Sequence, residues 1–278
     1  MKLLLQGDNY QQMVDNQVFL DGFIIGIDNL SINVSFMCAA DEIKSFLKKF
    51  PDKEVFVILN KNYQNDDLMY LEKTLLQLSE VRVAGVLFYD LAVVYLNKTL
   101  NLNLNLIWHA EHFTTNHFTY SVYNNYQVVG MVLSLDMHFS EIKQISEKIK
   151  GITMLPIFGH YPIFNSIRRL GKNYFSFFEL EKSLNDLFLQ VDDFKLPIID
   201  NKKGTAIYHP YLVDGSKIIK QLDEIDYGII NGYQVEDKKL MKVIKKIFNR
   251  QSLSGVINDL SENIFYQQTT YRIKGDDL

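Results

Sequence analysis

The 278-residue chain, with 47% hydrophobic and 22% charged residues, has the composition of a globular protein, which excludes intrinsic disorder. Its net charge of -4 provides no general basic field, so nucleic-acid binding would have to rely on a local patch. One cysteine excludes internal disulfides and cysteine-rich metal or iron–sulfur sites, and no apolar run approaches the ~20 residues of a membrane span. We therefore expect a cytoplasmic protein without membrane association.

Short apolar runs typical of buried strands alternate with amphipathic stretches from the N-terminus to Gly159. The predicted strands are residues 2–5, 22–27, 54–59, 84–89, 104–108, 128–135 and 152–158. The helices predicted between them are residues 41–50, 66–78 and 140–150. Strands that alternate with helices indicate βαβ units and a parallel sheet.

An eighth strand is predicted at residues 227–230, before a lysine-rich helix at residues 237–248. Eight strands in a chain of this length predict an α/β fold with a closed, TIM-like β/α barrel, for which ~250 residues is typical. Short strands around an Asn/Gly turn predict a small β-rich insertion between strands seven and eight. The predicted division is residues 1–174 for the first seven β/α units, 175–214 for the insertion and 215–278 for barrel closure and the C-terminal helix.

In a β/α barrel the functional site lies where the strands end, so the first polar residues after each apolar run are its natural candidates. Helix caps and loop anchors explain such residues as well, because every buried strand must end in something polar. The candidates are Gln6, Asp8, Asp28, Asn29, Asn60, Asp90, His109, Glu111, Asp136, His160 and Asn231.

The end of the seventh predicted strand is the most informative of these places. The apolar run leads directly into Gly159 and His160, and Arg168 and Arg169 follow. Glycine permits a sharp turn or a close approach, and guanidinium groups can hold carboxylates or phosphates. A solvated basic face after a core strand explains the arginines equally well. We expect the site at this strand end.

Residues 109–112 resemble a metal-binding box at first sight. The motif lacks the helical spacing of two histidines, and in a strand His109 and Glu111 share one face while His112 points away. A hydrogen-bonded strand end is therefore the preferred interpretation, and Cys38 is interpreted as a small apolar core residue. No P-loop, nucleophile elbow or dinucleotide motif is present, so the sequence predicts neither a metal nor a cofactor.

Six short motifs match the pattern of one known family. They are Gly-Phe-Ile-Ile-Gly at 22–26, Val-Leu-Phe-Tyr-Asp at 86–90, Thr-Thr-Asn at 114–116, Leu-Ser-Leu-Asp-Met-His-Phe-Ser-Glu-Ile at 133–142, Phe-Gly followed by Ser-x-Arg at 158–168, and Gly-Thr-Ala-Ile-Tyr at 204–208. Over nearly its whole length the chain resembles the collagenase-like peptidases of unknown catalytic type, unclassified peptidase family 32.

The chain also departs from that family at several charged positions. Met154 stands where the signature strand usually carries a glutamate. Asp136, a shorter acid, replaces the glutamate of the family's Leu-Ser-Arg-Glu motif. Asn231 and Tyr233 replace the glutamate and arginine of a late Lys-Ile-Glu-Gly-Arg motif. The cysteines that hold an iron–sulfur cluster in the family's hydroxylating branches are missing. These departures favour binding over catalysis at the end of the seventh strand.

The resemblance implies three functional hypotheses. The first is a peptidase, a hydrolase in which Asp136 and His160 supply acid and base. The second is a subunit of a tRNA wobble-uridine hydroxylation system, working with a longer paralogue and binding tRNA or an anionic small molecule. The third is a noncatalytic binding partner. The predicted substrate-binding residues are Asn60, Asp90, Glu111, Asn116, Ser166, Arg168 and Arg169.

Overall fold

Strands and helices alternate along the chain in the computed structural model, which describes residues 1–110, 114–180 and 187–266. The strands are β1 (Lys2–Gln6), β2 (Gly22–Ile27), β3 (Met37–Cys38), β4 (Glu54–Leu59), β5 (Gly85–Phe88), β6 (Leu106–Trp108), β7 (Val128–Val132), β8 (Ile152–Gly159), β9 (Pro162–Ser166), β10 (Leu187–Val191), β11 (Phe194–Asn201), β12 (Gly204–Tyr208), β13 (Leu212–Asp214), β14 (Tyr227–Asn231) and β15 (Leu260–Ser261). The α-helices are α1 (Tyr10–Asn16), α2 (Ile43–Lys49), α3 (Leu68–Ser79), α4 (Leu91–Thr99), α5 (His117–Asn124), α6 (Phe139–Ser146), α7 (Leu170–Phe177) and α8 (Asp237–Phe248).

Eight parallel strands of the described residues close into a barrel. Their order is β1, β2, β4, β5, β6, β7, β8 and β14, and β14 pairs with both β8 and β1. In the closing register, Tyr227 lies opposite Lys2 on one side and Met154 on the other. The predicted TIM-like β/α barrel is therefore confirmed.

The barrel strands are apolar throughout because both of their faces are buried. Along β1, Leu4 points into the barrel, while Leu3 and Leu5 pack against the surrounding helices. Met154 also lies in the interior cluster and is fully buried. An apolar side chain inside the barrel thus stands where the resembled family usually carries a glutamate.

A second sheet of four antiparallel strands follows the seventh barrel strand, in the order β10-β11-β12-β9. It corresponds to the predicted β-rich insertion, but β9 precedes residue 175 and pairs with β12. Gly204 begins β12 at a φ of +123°, and a Cβ there would collide with the carbonyl oxygen of Ser166. Glycine is therefore needed where β12 approaches β9, whereas the division of the chain at residues 174 and 214 stays a prediction.

The helices that separate the barrel strands lie on its outside. The strongly amphipathic α8 buries Leu240, Val243, Ile244 and Ile247 and leaves its lysines on the opposite face. Within the described part of the chain, no helix has the length and apolar character needed to cross a bilayer.

Candidate functional site

A small cavity lies inside the barrel, where the carboxyl ends of the strands meet; we call it the mouth cavity. Its volume is about 60 Å³, enough for a few water molecules or the edge of a small ligand. The polar residues of its wall are Gln6, Asn33, Asn60, His109, Asp136, Tyr161, His209 and Asn231. Five of the eight come from the strand-end candidates, so the barrel brings residues that are distant in sequence to one place.

A larger cleft adjoins the mouth cavity, with which it shares Asn33, Val34 and Asn60; we call it the roof cleft. Its volume is about 500 Å³, and it lies between the barrel rim and the second sheet. Its other polar and aromatic wall residues are Ser35, Asn62, Tyr89, Phe164, Asn165, Ser166, Asn201, Lys203, Thr205, Tyr208 and Tyr233. The insertion therefore converts a narrow strand-end cavity into a site large enough for a small molecule.

Three predicted site residues line these spaces. Asn60 accepts a hydrogen bond from Ile32 N at 2.9 Å and donates one to Ile32 O at 3.0 Å, so its amide holds the rim loop. Asp136 is exposed in the wall of the mouth cavity, and its backbone N–H donates to Ser134 Oγ. Ser166 lines the roof cleft.

Two other predicted residues are helix caps that line neither space. Asp90 accepts hydrogen bonds from Ala92 N at 2.8 Å and Tyr63 N at 3.0 Å, and thereby caps α4. Asn116 caps α5 by accepting from Thr119 N at 3.1 Å. Glu111 lies outside the described residues. The alternative explanation of a cap therefore accounts for Asp90 and Asn116.

The two predicted arginines also lie outside both spaces. Arg168 is exposed, and Arg169 Nε lies 2.9 Å from Asp200 Oδ1. The fully buried Asp200 carboxylate also accepts from Gly171 N at 2.7 Å and Thr205 Oγ1 at 2.8 Å. Burial favours the neutral acid, but the hydrogen bonds from Thr205 and Arg169 outweigh it and lower the pKa of Asp200. Arg169 therefore forms an ion pair with Asp200 of the second sheet.

His160 is half-buried beside the site and does not line the mouth cavity that Asp136 lines. Its carbonyl accepts from Asn231 Nδ2 at 2.8 Å, and Asn231 Oδ1 accepts from Tyr233 N at 3.0 Å. The next residue, Tyr161, does face the cavity, with its hydroxyl 3.0 Å from Phe158 O and 3.1 Å from Ile229 O. The two residues after β8 therefore contribute a partly buried tyrosine to the cavity wall and a backbone carbonyl that holds Asn231.

A pH titration of stability tests the environment of His160. Burial lowers the pKa of this imidazole from its usual 6.5, because burial penalises the charged ring. The neutral His160 ring costs the folded protein no free energy above pH 6.5, the ordinary pKa of the imidazole. As pH falls from there through the lower folded-state pKa, the unfolded chain gains a proton first and the free energy of unfolding decreases. We expect His160→Gln to flatten the decline in melting temperature between about pH 7 and pH 5. His117→Gln on α5 is the control; an equal flattening in both variants would refute the assignment.

Several residues of the site carry no strand-end signal in the sequence. Asn33 lies in the loop after β2 at a φ of +53°, a region that asparagine tolerates. Its Nδ2 donates to Asn165 Oδ1 of β9, which joins the rim to the second sheet. His209 and Lys203 also come from the insertion. Only the tendency of Asn to adopt positive φ could have marked Asn33.

The lone cysteine is part of the core. Burial, with a smaller contribution from Glu42, raises the pKa of Cys38 to about 12, so it remains a neutral thiol. The chain cannot supply four thiolates, and its donor set therefore does not fit the iron–sulfur cluster of the hydroxylating branches. Among the described residues, no group of three or more His, Cys, Asp or Glu side chains is arranged to hold a metal ion.

Comparison of the sequence with family models identifies the family. The model of peptidase family U32 matches residues 25–185, more than half of the chain. The chain belongs to peptidase family U32. The matched range begins within β2 and extends past α7, and it includes the rim residues Asn33, Asn60 and Asp136.

Two known proteins are similar to this U32 chain, one in sequence and one in fold. The tRNA hydroxylation protein P2 of Bacillus subtilis is 29% identical over 205 residues, which cover 69% of this chain. The match spans about 65% of the length of that curated relative. The crystal structure of a 3-hexulose-6-phosphate synthase matches with a TM-score of 0.50 at 10% identity, covering 91% of this chain and 100% of the other. That likeness concerns the barrel fold alone.

Proposed function

We propose that the protein is a substrate-binding subunit of a tRNA hydroxylation system, and that the mouth cavity and roof cleft hold the base to be modified. The Bacillus subtilis relative supports the choice of system. The observation that carries the proposal is the chemical character of the site, which is rich in amides and tyrosines and poor in charge.

The amide groups of the site suit a neutral, planar and polar ligand. Asn60 and Asn231 use their amides to hold the rim, as their hydrogen bonds to Ile32, His160 and Tyr233 show. Gln6 donates from Nε2 to Asn33 O, and Asn33 donates from Nδ2 to Asn165 Oδ1, so within the described structure the Oε1 of Gln6 and the Oδ1 of Asn33 are left as acceptors. Each can accept one from a ligand, such as the N–H of a uracil ring. Proteins read single-stranded RNA through such contacts to exposed base edges.

Three tyrosines line the roof cleft, and the two that are partly exposed, Tyr89 and Tyr233, supply faces for stacking. Tyr89 follows β5, Tyr208 ends β12 and Tyr233 follows β14, and all three line the cleft. Tyr208 and Tyr233 lie beside each other, with ring centroids 5.6 Å apart. Stacking of one base on an aromatic ring contributes about 1–3 kcal/mol, without regard to sequence. A cleft of 500 Å³ accommodates a nucleotide, whereas the mouth cavity admits only its polar edge.

The proposed role is binding rather than oxidation. With one buried cysteine, this chain does not provide the cluster ligands of the hydroxylating branches. We assign the redox chemistry to a longer paralogue and recognition of the wobble uridine to this chain, which would place both in the cytoplasm.

The peptidase hypothesis has weaker support from the site. It needs Asp136 and His160 to act on one substrate, but only Asp136 lines the mouth cavity. A purely structural interaction protein is also less favoured, since eight polar residues line the mouth cavity among its apolar ones. Cleavage of gelatin by the pure protein that disappears in Asp136→Ala would restore the peptidase hypothesis.

Deletion of the gene tests the proposed function. We expect hydroxyuridine in bulk tRNA, measured by mass spectrometry, to fall on deletion and to return with the wild-type gene. Tyr233→Ala should restore about a fifth of the modification or less, because its loss removes a stacking face worth about 1–3 kcal/mol. Tyr95→Ala, which removes an exposed tyrosine of α4, is the matched control. Unchanged hydroxyuridine after deletion would rule out the proposal.

A further inference from the structure

Lys203 occupies a defined position at the edge of the roof cleft. It lies in the tight turn between β11 and β12, where Asn201 Oδ1 accepts from Lys203 N at 2.8 Å. Gly204, with its positive φ, fixes the other side of the turn. The lysine side chain crosses to the barrel rim, where its Nζ lies 2.8 Å from Met37 Sδ. The insertion thus directs one cation toward the site.

The charge of Lys203 has no anionic partner within the described part of the chain. A thioether sulfur is a weak acceptor, and an ammonium group has three N–H donors to satisfy. Of the described carboxylates, none lies within 4.0 Å of Nζ, and Asp28 acts on it only from a longer distance. Burial in the cleft lowers the pKa of Lys203, whereas Asp28 raises it. Lys203 is nevertheless exposed at the edge of the cleft, so its ammonium group is accessible to an anionic ligand.

Lys203 is the one charged residue among the described residues that line the roof cleft. The other polar wall residues are amides, hydroxyls and tyrosines. The described wall of the cleft therefore carries one positive charge and no negative one, although the chain as a whole carries a net charge of -4. A ligand with one anionic group and one neutral aromatic ring complements this distribution; a nucleotide has both.

We propose that Lys203 binds the phosphate of the nucleotide whose base occupies the roof cleft, an inference that rests on the proposed function. The tyrosines and amides hold the base, and the lysine at the edge of the cleft contacts the backbone of the RNA. The contact positions the nucleotide without reading its sequence.

Calorimetry tests the proposal by measuring how tightly the full chain binds uridine and uridine 3′,5′-bisphosphate. We expect the bisphosphate to bind about tenfold more tightly, as one charge-assisted hydrogen bond implies. Lys203→Ala should abolish that difference while leaving uridine binding unchanged. The neighbouring Lys202 is exposed in the same turn, as Lys203 is, but does not line the cleft. Lys202→Ala is therefore the matched control and should keep the difference.

The outcomes separate this inference from the proposed function. Equal affinity for uridine and its bisphosphate would overturn the role of Lys203 and leave base binding intact. Equal loss in Lys203→Ala and Lys202→Ala would also overturn it, since it would indicate a diffuse electrostatic effect. Lys203-dependent binding of inorganic phosphate without any binding of uridine would support the phosphate site and contradict the RNA function. Binding of neither nucleoside nor bisphosphate would contradict both.

Discussion

Replacement of Gly159 by alanine is expected to lower the free energy of unfolding by about 3 kcal/mol. This glycine ends β8 at a φ of +127°, and a Cβ there would collide with the carbonyl oxygen of Asn231 on β14. The collision falls where β8 and β14 close the barrel, so neither strand can move away without loss of pairing. Urea denaturation measures the loss, and the melting temperature should fall by roughly 6–12 °C.

Gly255→Ala separates the two causes of this loss. Gly255 also has a positive φ, +74°, but an added Cβ there would meet no atom within 4 Å. That variant should lose only the conformational cost, about 1 kcal/mol. Equal losses in the two variants would show that contact with Asn231 contributes nothing, and would contradict the close approach of β8 and β14 on which the mouth cavity depends.

The barrel was predictable because its strands are buried on both faces. The predicted bounds of β2, β4 and α8 agree with the structure, since unbroken apolar runs and a regular helical stripe define them. β7 ends at Val132, although the apolar run continues to Leu135. Leu133 and Leu135 line the mouth cavity from the loop, so their hydrophobicity reflects burial and not strand structure.

The helix α4 shows the opposite case. Its sequence from Leu91 to Thr99 contains adjacent valines, which favour strands over helices. The helix forms because Asp90 caps it and Val93 and Val94 pack into the core. Its existence follows from tertiary packing that no local pattern reveals.

The candidate site was partly predictable for a topological reason. The strand-end rule identifies Gln6, Asn60, His109, Asp136 and Asn231, because the carboxyl ends of all barrel strands lie at the same edge. It cannot identify the roof cleft. Asn33 meets Asn165 and Met37 meets Lys203 across 132 and 166 residues of sequence, respectively, through the placement of an insertion. Likewise, the sequence does not indicate that Asp200 pairs with Arg169.

Replacement of Asp200 by alanine is expected to lower the free energy of unfolding by about 3 kcal/mol. The fully buried carboxylate joins three elements, through Arg169, the first turn of α7 and Thr205 of β12. Its removal leaves these donors without their acceptor in the second sheet. Arg169→Ala is the matched variant and should lose only about 1 kcal/mol, because the arginine is partly exposed and Asp200 keeps its other donors.

The pH dependence of the gap in unfolding free energy between wild type and Asp200→Ala tests whether the charged carboxylate is its source. Because the pKa of Asp200 is lowered in the folded state, its contribution is complete above the unfolded value of about 3.9 and is lost as pH falls through the folded value. The gap in unfolding free energy between wild type and Asp200→Ala should therefore be constant from about pH 7 to pH 5 and narrow below about pH 4. A gap that persists unchanged at lower pH would indicate a cavity effect instead of the charged hydrogen-bond network.

The network also supports β11 and β12, so Asp200→Ala should weaken uridine bisphosphate binding through displacement of the turn that carries Lys203.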